Sequence, residues 1–327
     1  MSTRETETYL NLNEMKEQIK NFLERNDMIY PPIQSCIDIQ VLYNLIKHED
    51  RNRLSKLNSN LRYISGLYFE TIRDTRSMME EYSKGAEYGC SECMNLIGRY
   101  YYFKKEYCEM MRFWEMSIDK KNINAIINLS RYFRDQNEKD KMIHALKMAI
   151  ELGSEKGIKE LSNYYLQNGN IEKMIETYRE GAHKGSTMSM LELGNYYSKI
   201  KDTQNMIKYY TLASKTNNEA MYRLGMYYES LKDYPKMIEY YNQAIRENHT
   251  DAMIRLGEFY KKIKNYDLMI HTFKMASVSN PNAMNKLGIY YQKKKQYSEM
   301  LKYYENAIEH GCINSMNNLG LYYETIG

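Results

Sequence analysis

Proline is scarce in this chain, four residues in 327, and tryptophan occurs once. So little proline leaves no room for a polyproline spacer and few places where a helix would be forced to break. Long apolar runs are missing as well; none approaches the roughly 18 residues that a membrane-spanning helix needs. The opening MSTRETETYLNLNEMK lacks the apolar centre of a signal peptide. Neither sign of charge dominates: 46 basic against 42 acidic residues leave a net +4. That argues against a chain whose main task is neutralising a phosphate backbone. The five cysteines (Cys36, Cys90, Cys93, Cys108, Cys312) share no spacing that would make a disulfide framework, and they fit reduced thiols in a cytoplasmic compartment. There is no H-E-x-x-H, no G-x-x-x-x-G-K-[ST], and no G-x-G-x-x-G after a strand. The chain is therefore not expected to be an enzyme.

What it has in abundance is tyrosine, 34 residues, and methionine, 24. Both recur on a fixed period. A small residue returns every 31 or 32 positions, as Gly66, Gly98, Ser130, Ser162, Gly194, Gly225, Gly257, Gly288 and Gly320. Counted from it, aromatics stand at offsets two and three, as Tyr227 and Tyr228 do after Gly225. Methionine stands at offset twelve: Met78, Met110, Met142, Met174, Met206, Met237, Met269 and Met300. Offset sixteen is bulky (Tyr82, Trp114, Leu146, Tyr178, Tyr210, Tyr241, Phe273, Tyr304) and offset nineteen small, from Gly85 to Ala307. Self-similarity of this kind marks a stacked repeat array.

Steps of three, four and seven belong to a helix face, not to a strand. Each copy thus reads as two helices, A with the small residue and the aromatic pair, B with the methionine and the bulky residue. A glycine inside a helix costs about 1 kcal/mol against alanine. Its recurrence predicts that another backbone comes close, with A and B crossing there. Offset twenty-three holds Gly89, Lys121, Gly153, Gly185, Asn217, Asn248, Asn280 or Gly311. Lys121 apart, these types tolerate the left-handed conformation that closes a helix. Ser91, Asn218 and Thr250 then open the next A helix, and Pro235 and Pro281 fall at helix starts.

The pattern A-M-x-x-L-G-x-Y-Y over residues 220–228, with M-I-x-Y-Y-x-x-A-I over 237–245, resembles the Sel1-like repeat, a relative of the tetratricopeptide repeat. The copy with Met110, Phe113, Trp114, Ser117 and Ile118 comes nearest in its aromatics. Methionine replaces the family's alanine at the start of the second motif, and the A–B loop is shorter. The resemblance covers residues 57–327. It implies an all-α fold, a right-handed α-solenoid of about nine antiparallel helix pairs. The tyrosine- and methionine-rich flavour is similar to repeats of large DNA viruses of protists, which implies a host cytoplasm.

Residues 1–56 lie outside the period. Leu12, Met15, Ile19, Phe22 and Leu23 form one apolar stripe, predicting a helix over about residues 11–26. Tyr30-Pro31-Pro32 breaks the chain, and a second helix is expected over about residues 34–48. Together they are expected to cap the array; a degenerate repeat or a docking helix is the alternative. At the other end, an A helix has no B helix behind it, which reads as a final cap or as a chain that continues.

Cys90-Ser91-Glu92-Cys93 is the one tempting metal pair, but zinc needs four ligands and Cys108 supplies a third at best. No metal or cofactor is expected. The aromatic and methionine stripes are expected to pack helices together, not to stack on bases. What remains is the surface that does not repeat. In arrays of the resembled family the A helices line a concave face, so offsets one and four should point into a groove. Those offsets hold Leu67/Glu70, Arg99/Tyr102, Arg131/Arg134, Asn163/Leu166 and Asn195/Ser198 in the first five copies. Arg99, Arg131, Arg134, Lys159, Asn163 and Asn195 form the candidate partner-binding block, suited to an extended, carboxylate-bearing peptide. An ordinary solvated face carries equal weight. Lys159, Asn163 and Arg223 match the offsets by which some tetratricopeptide domains grip a peptide's terminal carboxylate, although Glu192 stands where an amide is wanted. The expected function is a non-catalytic scaffold for another protein; the alternative is single-stranded nucleic-acid binding.

Overall fold

Short turns between amphipathic stretches should fold each copy back on itself, and they do. The computed structural model describes residues 59–326 apart from Ile72, together with Glu17 and Asn21, which are helical and exposed. Apart from Glu17 and Asn21, the helix expected over 11–26 lies outside the described residues, as do the helix expected over 34–48 and the capping role of residues 1–56. Among the described residues there are seventeen helices and no strand.

The chain divides into two units, 1–164 and 165–327. In the first, the A helices are α1 (Ser59–Thr71), α3 (Ser91–Lys104), α5 (Ile123–Asp135) and α7 (Glu155–Gln167), whose last turn enters the second unit. The B helices are α2 (Thr75–Glu87), α4 (Tyr107–Asp119) and α6 (Lys139–Glu151). The second unit continues with α8 (Ile171–His183) and the pairs α9 (Thr187–Lys199)/α10 (Thr203–Ala213) and α11 (Asn218–Ser230)/α12 (Tyr234–Arg246). Then come α13 (Thr250–Lys262)/α14 (Tyr266–Ser277), α15 (Pro281–Lys293)/α16 (Tyr297–Glu309), and finally α17 (Ile313–Ile326). From α9 to α16 each A helix packs against its own B helix, as it does from α1 to α6.

Every A-to-B turn passes through a left-handed residue at offset seven. Arg73, Lys105, Asn137, Lys201, Lys232, Lys264 and Lys295 hold φ between 57° and 62°, and Gly169 holds 71°. That conformation costs a non-glycine residue roughly 1–2 kcal/mol. The next residue caps the B helix. Asp74, Asn170, Asp202, Asp233 and Asn265 each accept a hydrogen bond from the N–H three residues on. Glu106, Glu138 and Gln296, one methylene longer, make no such bond.

The B-to-A turns correct one expectation. Gly89, Gly153, Gly185, Gly311, Asn248 and also Lys121 have positive φ. Asn217 and Asn280 do not; at φ −126° and −130° they are extended and cap α11 and α15 through their side chains. They belong to the two copies that are 31 residues long, Gly194 to Gly225 and Gly257 to Gly288. The lost residue is the left-handed one, and offset twenty-three falls on the cap instead.

All the offset-twelve methionines are buried, from Met110, Met237 and Met300 at 0% exposure to Met206 at 7%. The recurrent glycine meets a side chain, which corrects the expectation that another backbone fills that space. A Cβ on Gly66, Gly98, Gly194, Gly225, Gly257 or Gly288 would stand 2.2–2.5 Å from the offset-sixteen ring of the same copy. The ring occupies the room that the missing Cβ leaves. Where serine replaces glycine at Ser130, the bulky partner position is Leu146, and the hydroxyl donates to the Ile127 carbonyl at 2.7 Å.

Two further aromatic contacts repeat. The offset-three ring stacks on the offset-fifteen ring of its own copy: Tyr101/Phe113, Tyr197/Tyr209, Tyr228/Tyr240 and Tyr291/Tyr303, with centroids 5.4–5.8 Å apart. The first residue of a B helix reaches the offset-two ring of the next copy, as in Tyr107/Tyr132, Tyr234/Phe259, Tyr266/Tyr290 and Tyr297/Tyr322. Consecutive copies also touch through small residues. A Cβ on Gly85 would lie 2.3 Å from Cys93 Sγ, and one on Gly157 would lie 3.1 Å from Ala149 Cβ.

Gly320 on α17 has nothing within 4 Å of its would-be Cβ. This sets up opposite signs for one substitution. Gly225→Ala should destabilise the array by about 1–3 kcal/mol through overpacking against Tyr241. Gly320→Ala should stabilise it by roughly 0.5–1 kcal/mol through helix propensity. Urea melts followed by circular dichroism would separate the two. Equal effects would mean that the ring does not fill the glycine slot.

Shortening an over-long cap is a second test. Glu138→Asp should add about 0.5–1 kcal/mol, because an aspartate reaches the N–H that Glu138 misses. The exposed Lys141 pair that it loses contributes less. An unchanged or lowered melting temperature would count against it.

Candidate partner-binding surface

Offset four on the A helices was expected to face a partner; in three copies it anchors the core instead. Tyr82 Oη donates to Glu70 at 3.1 Å, Tyr241 to Glu229 at 2.7 Å and Tyr304 to Gln292 at 2.9 Å. A buried phenol needs an acceptor, and offset four of the same copy lies within its reach. In the second copy Trp114 Nε1 donates to the Asn95 carbonyl at 3.2 Å. Offset one is not uniformly open either, since Leu67 is buried.

Neighbouring A helices are then laced by charge. In the first unit Arg99 Nη2 donates to both Glu70 oxygens at 2.8 Å, and Arg131 Nη2 donates to Glu160 at 2.6 Å. In the second, Lys286 pairs with Glu258 at 2.5 Å, and Arg255 donates to Tyr222 Oη at 2.9 Å and Glu229 at 3.3 Å. Amide ladders run alongside: Asn128 donates to Asn95 and Asn318 to Asn285, both at 2.9 Å. Burial alone would raise the Glu258 carboxyl, but the hydrogen bond and charge of Lys286, with Lys261 beside it, hold it below the usual carboxylate value. Glu219 is lowered in the same way by His249 and Arg223.

The six expected site residues therefore differ in what they can do. Arg99 and Arg131 are half-buried and braced by Glu70 and Glu160. Arg134 is exposed, with two long contacts to Asp135, from Nε at 3.4 Å and from Nη2 at 3.5 Å. Lys159 and Asn163, four residues apart on α7, are exposed and without a hydrogen-bond partner among the described residues. The Arg131–Glu160 pair brings α5 to the turn of α7 that carries Lys159. Asn195 lies in the second unit, half-buried, and accepts from Tyr210 Oη at 2.9 Å. Arg223 is paired with Glu219 at 2.6 Å. Sequence reasoning missed Glu160, and placed Glu70 in the groove without its bracing role. Their signal was opposite charge at neighbouring positions of successive A helices, which is not periodic in residue type. No group of three or more His, Cys, Asp or Glu side chains among the described residues could hold a metal ion. No described helix is long and apolar enough to cross a membrane.

Two stretches of the chain, 219–248 and 281–309, match the tetratricopeptide repeat family. They coincide with the pairs α11/α12 and α15/α16, so these two helix pairs match that family's repeat. Among solved structures the chain is similar to a Sel1 repeat protein from Oxalobacter formigenes, with 19% identity over 65% of this chain and 98% of that one and a TM-score of 0.46. It is similar to PilF of Pseudomonas aeruginosa, with 13% identity, 61% and 96% coverage and a TM-score of 0.41. It is also similar to YrrB, a TPR protein with an unusual peptide-binding site, with 17% identity, 54% and 98% coverage and a TM-score of 0.37. No curated protein matches it in sequence.

The anchored phenols make stability depend on alkaline pH. Burial pushes Tyr304 up to about 12, and burial with the Glu229 and Glu70 bonds raises Tyr241 and Tyr82 further. In the unfolded chain these groups ionise near the ordinary value of 10.0. Above that pH the unfolded state sheds protons that the folded state keeps, so stability is full below pH 10 and falls as pH rises toward the folded values. Thermal melts should be flat up to about pH 9 and drop steeply above pH 10, with the phenolate absorbance of Tyr82, Tyr241 and Tyr304 appearing together with unfolding. Phenolate absorbance from every tyrosine while the helices persist would contradict it.

Proposed function

We propose that the chain is a non-catalytic interaction scaffold that holds an extended, carboxylate-bearing segment of another protein against the A helices of its first unit. The observation that carries this reading is the state of the donors on that face. Lys159 and Asn163 stand one turn apart, exposed and unpartnered among the described residues, next to an Arg131 that Glu160 holds in place. Arg134 adds a third cation, held only by long contacts to Asp135. A braced guanidinium loses little freedom on binding, which favours a bidentate bond to an incoming carboxylate. An amide beside it suits the peptide backbone. The rings at offsets three, fifteen and sixteen are spent inside the array, in glycine slots and in ring–ring stacks. This favours the peptide over single-stranded nucleic acid. The name of YrrB, with its peptide-binding site, fits the same reading.

The test uses a fluorescein-labelled ten-residue polyglutamate and, in parallel, a single-stranded oligonucleotide of matched charge, read by anisotropy at low and physiological salt. The peptide should bind, and Arg134→Glu with Lys159→Glu should weaken it about tenfold or more, a loss of about 1.4 kcal/mol, with helix content unchanged. Tighter binding of the oligonucleotide with a steep salt slope would overturn the proposal in favour of nucleic acid.

A further inference from the structure

The junction between the first two copies differs in one chemical respect from the other junctions described. Most later A helices have an oxygen acceptor at the N-cap and a small side chain three positions on, as in Asn122/Ala125, Ser154/Gly157 and Asn217/Ala220; His249 caps through a ring nitrogen, and Cys312 before α17 is followed by Ser315, not by a second thiol. At α3 both positions are thiols, Cys90 at the cap and Cys93 in the first turn. Cys90 has the extended backbone of a cap, φ −70° and ψ 107°, but makes no capping bond through its side chain. The free N–H groups of that turn therefore face a sulfur. Cys90 is partly exposed, whereas Cys93 is fully buried with its sulfur seated in the space left by Gly85. Helix geometry puts the two Cα atoms roughly 5–6 Å apart, inside the roughly 4.4–6.8 Å range of disulfides.

We propose that Cys90 and Cys93 form a reversible dithiol–disulfide site, with Cys90 attacking first and a low-molecular-weight disulfide such as glutathione disulfide as oxidant. The Cys90 thiolate attacks one sulfur of the small disulfide; that S–S bond breaks, and the departing thiolate takes a proton from water. The Cys93 sulfur then attacks Cys90 Sγ, closing the Cys90–Cys93 bond and expelling the second small thiolate, which takes the Cys93 proton. Two protein thiols are oxidised and one small disulfide is reduced to two thiols. The helix N-terminus stabilises the attacking thiolate, and a thiol three residues on is placed to resolve the adduct. A hydrogen bond from the Cys93 thiol, helped by the backbone N–H groups of Cys93 and Glu92, draws Cys90 down to about 7. The Glu92 charge and partial burial oppose that shift. Cys93 moves the other way, since its proton is held by Cys90 and it is buried near Glu92 and Glu81.

The experiment incubates the full chain with glutathione and glutathione disulfide at graded ratios, quenches in acid, alkylates free thiols and maps the products by mass spectrometry. The wild type should lose two hydrogens across Cys90 and Cys93. Exposed Cys108, which has no cysteine in the following turn, should end as a glutathione adduct. Cys93→Ser should stop at a glutathione adduct on Cys90, and Cys90→Ser should leave Cys93 reduced. Serine already occupies the matching positions at Ser186 and Ser189, so both variants keep a residue type that the array accommodates. A wild type that stops at an adduct on Cys90, or that leaves Cys90 untouched while Cys108 reacts, would overturn the proposal.

Discussion

An aromatic ring seated where a glycine has no Cβ is the contact on which the rest of this structure depends. It sets how closely an A helix and its B helix approach, because ring and glycine backbone touch with no side chain between them. Helix periodicity then determines what else shares that face. The methionine four residues before the ring turns inward, and the small residue three after it meets the next copy. The phenol at the ring's end needs an acceptor, and offset four supplies one in the copies of Glu70, Glu229 and Gln292. One contact thus organises apolar and polar partners together.

Stacking of the copies rests on weaker and more varied contacts. Small residues meet at the junctions, rings at the start of four B helices reach the next A helix, and ion pairs link successive A helices. These pairs draw on the same side chains that could recognise a partner. In the first unit Arg99 and Arg131 are each braced by a carboxylate, and the donors without a close partner are Arg134, Lys159 and Asn163. The recognition surface is narrower than a list of charged positions suggests, and better ordered.

Departures from the period are where the chemistry lies. Cys93 is larger than the alanine, glycine or serine of its counterparts, and Gly85 opposite it gives up the volume that Cys93 takes. Such a compensated exchange leaves the junction intact while placing a second sulfur beside Cys90. The 31-residue copies are a different departure. They drop the left-handed residue of the B-to-A turn, and Asn217 and Asn280 take on the cap.

Features that arise inside one helix pair were readable from residues alone. Met237, Tyr241 and Gly225 sit at the same offsets in copy after copy because each must satisfy the same short-range geometry, so the all-α repeat followed directly. The turns were readable only in part. A lysine at offset seven, such as Lys232 or Lys264, carries no compositional mark of its left-handed backbone; the closing of the pair imposes it. Contacts between copies were hidden for another reason. Arg131 pairs with Glu160 and Glu258 with Lys286 at matching positions with the charges exchanged, so complementarity is preserved while neither residue type recurs. Local geometry repeats and leaves a period. Pairing between neighbours needs only that opposite charges meet, and which ones meet became visible once the helices were placed side by side.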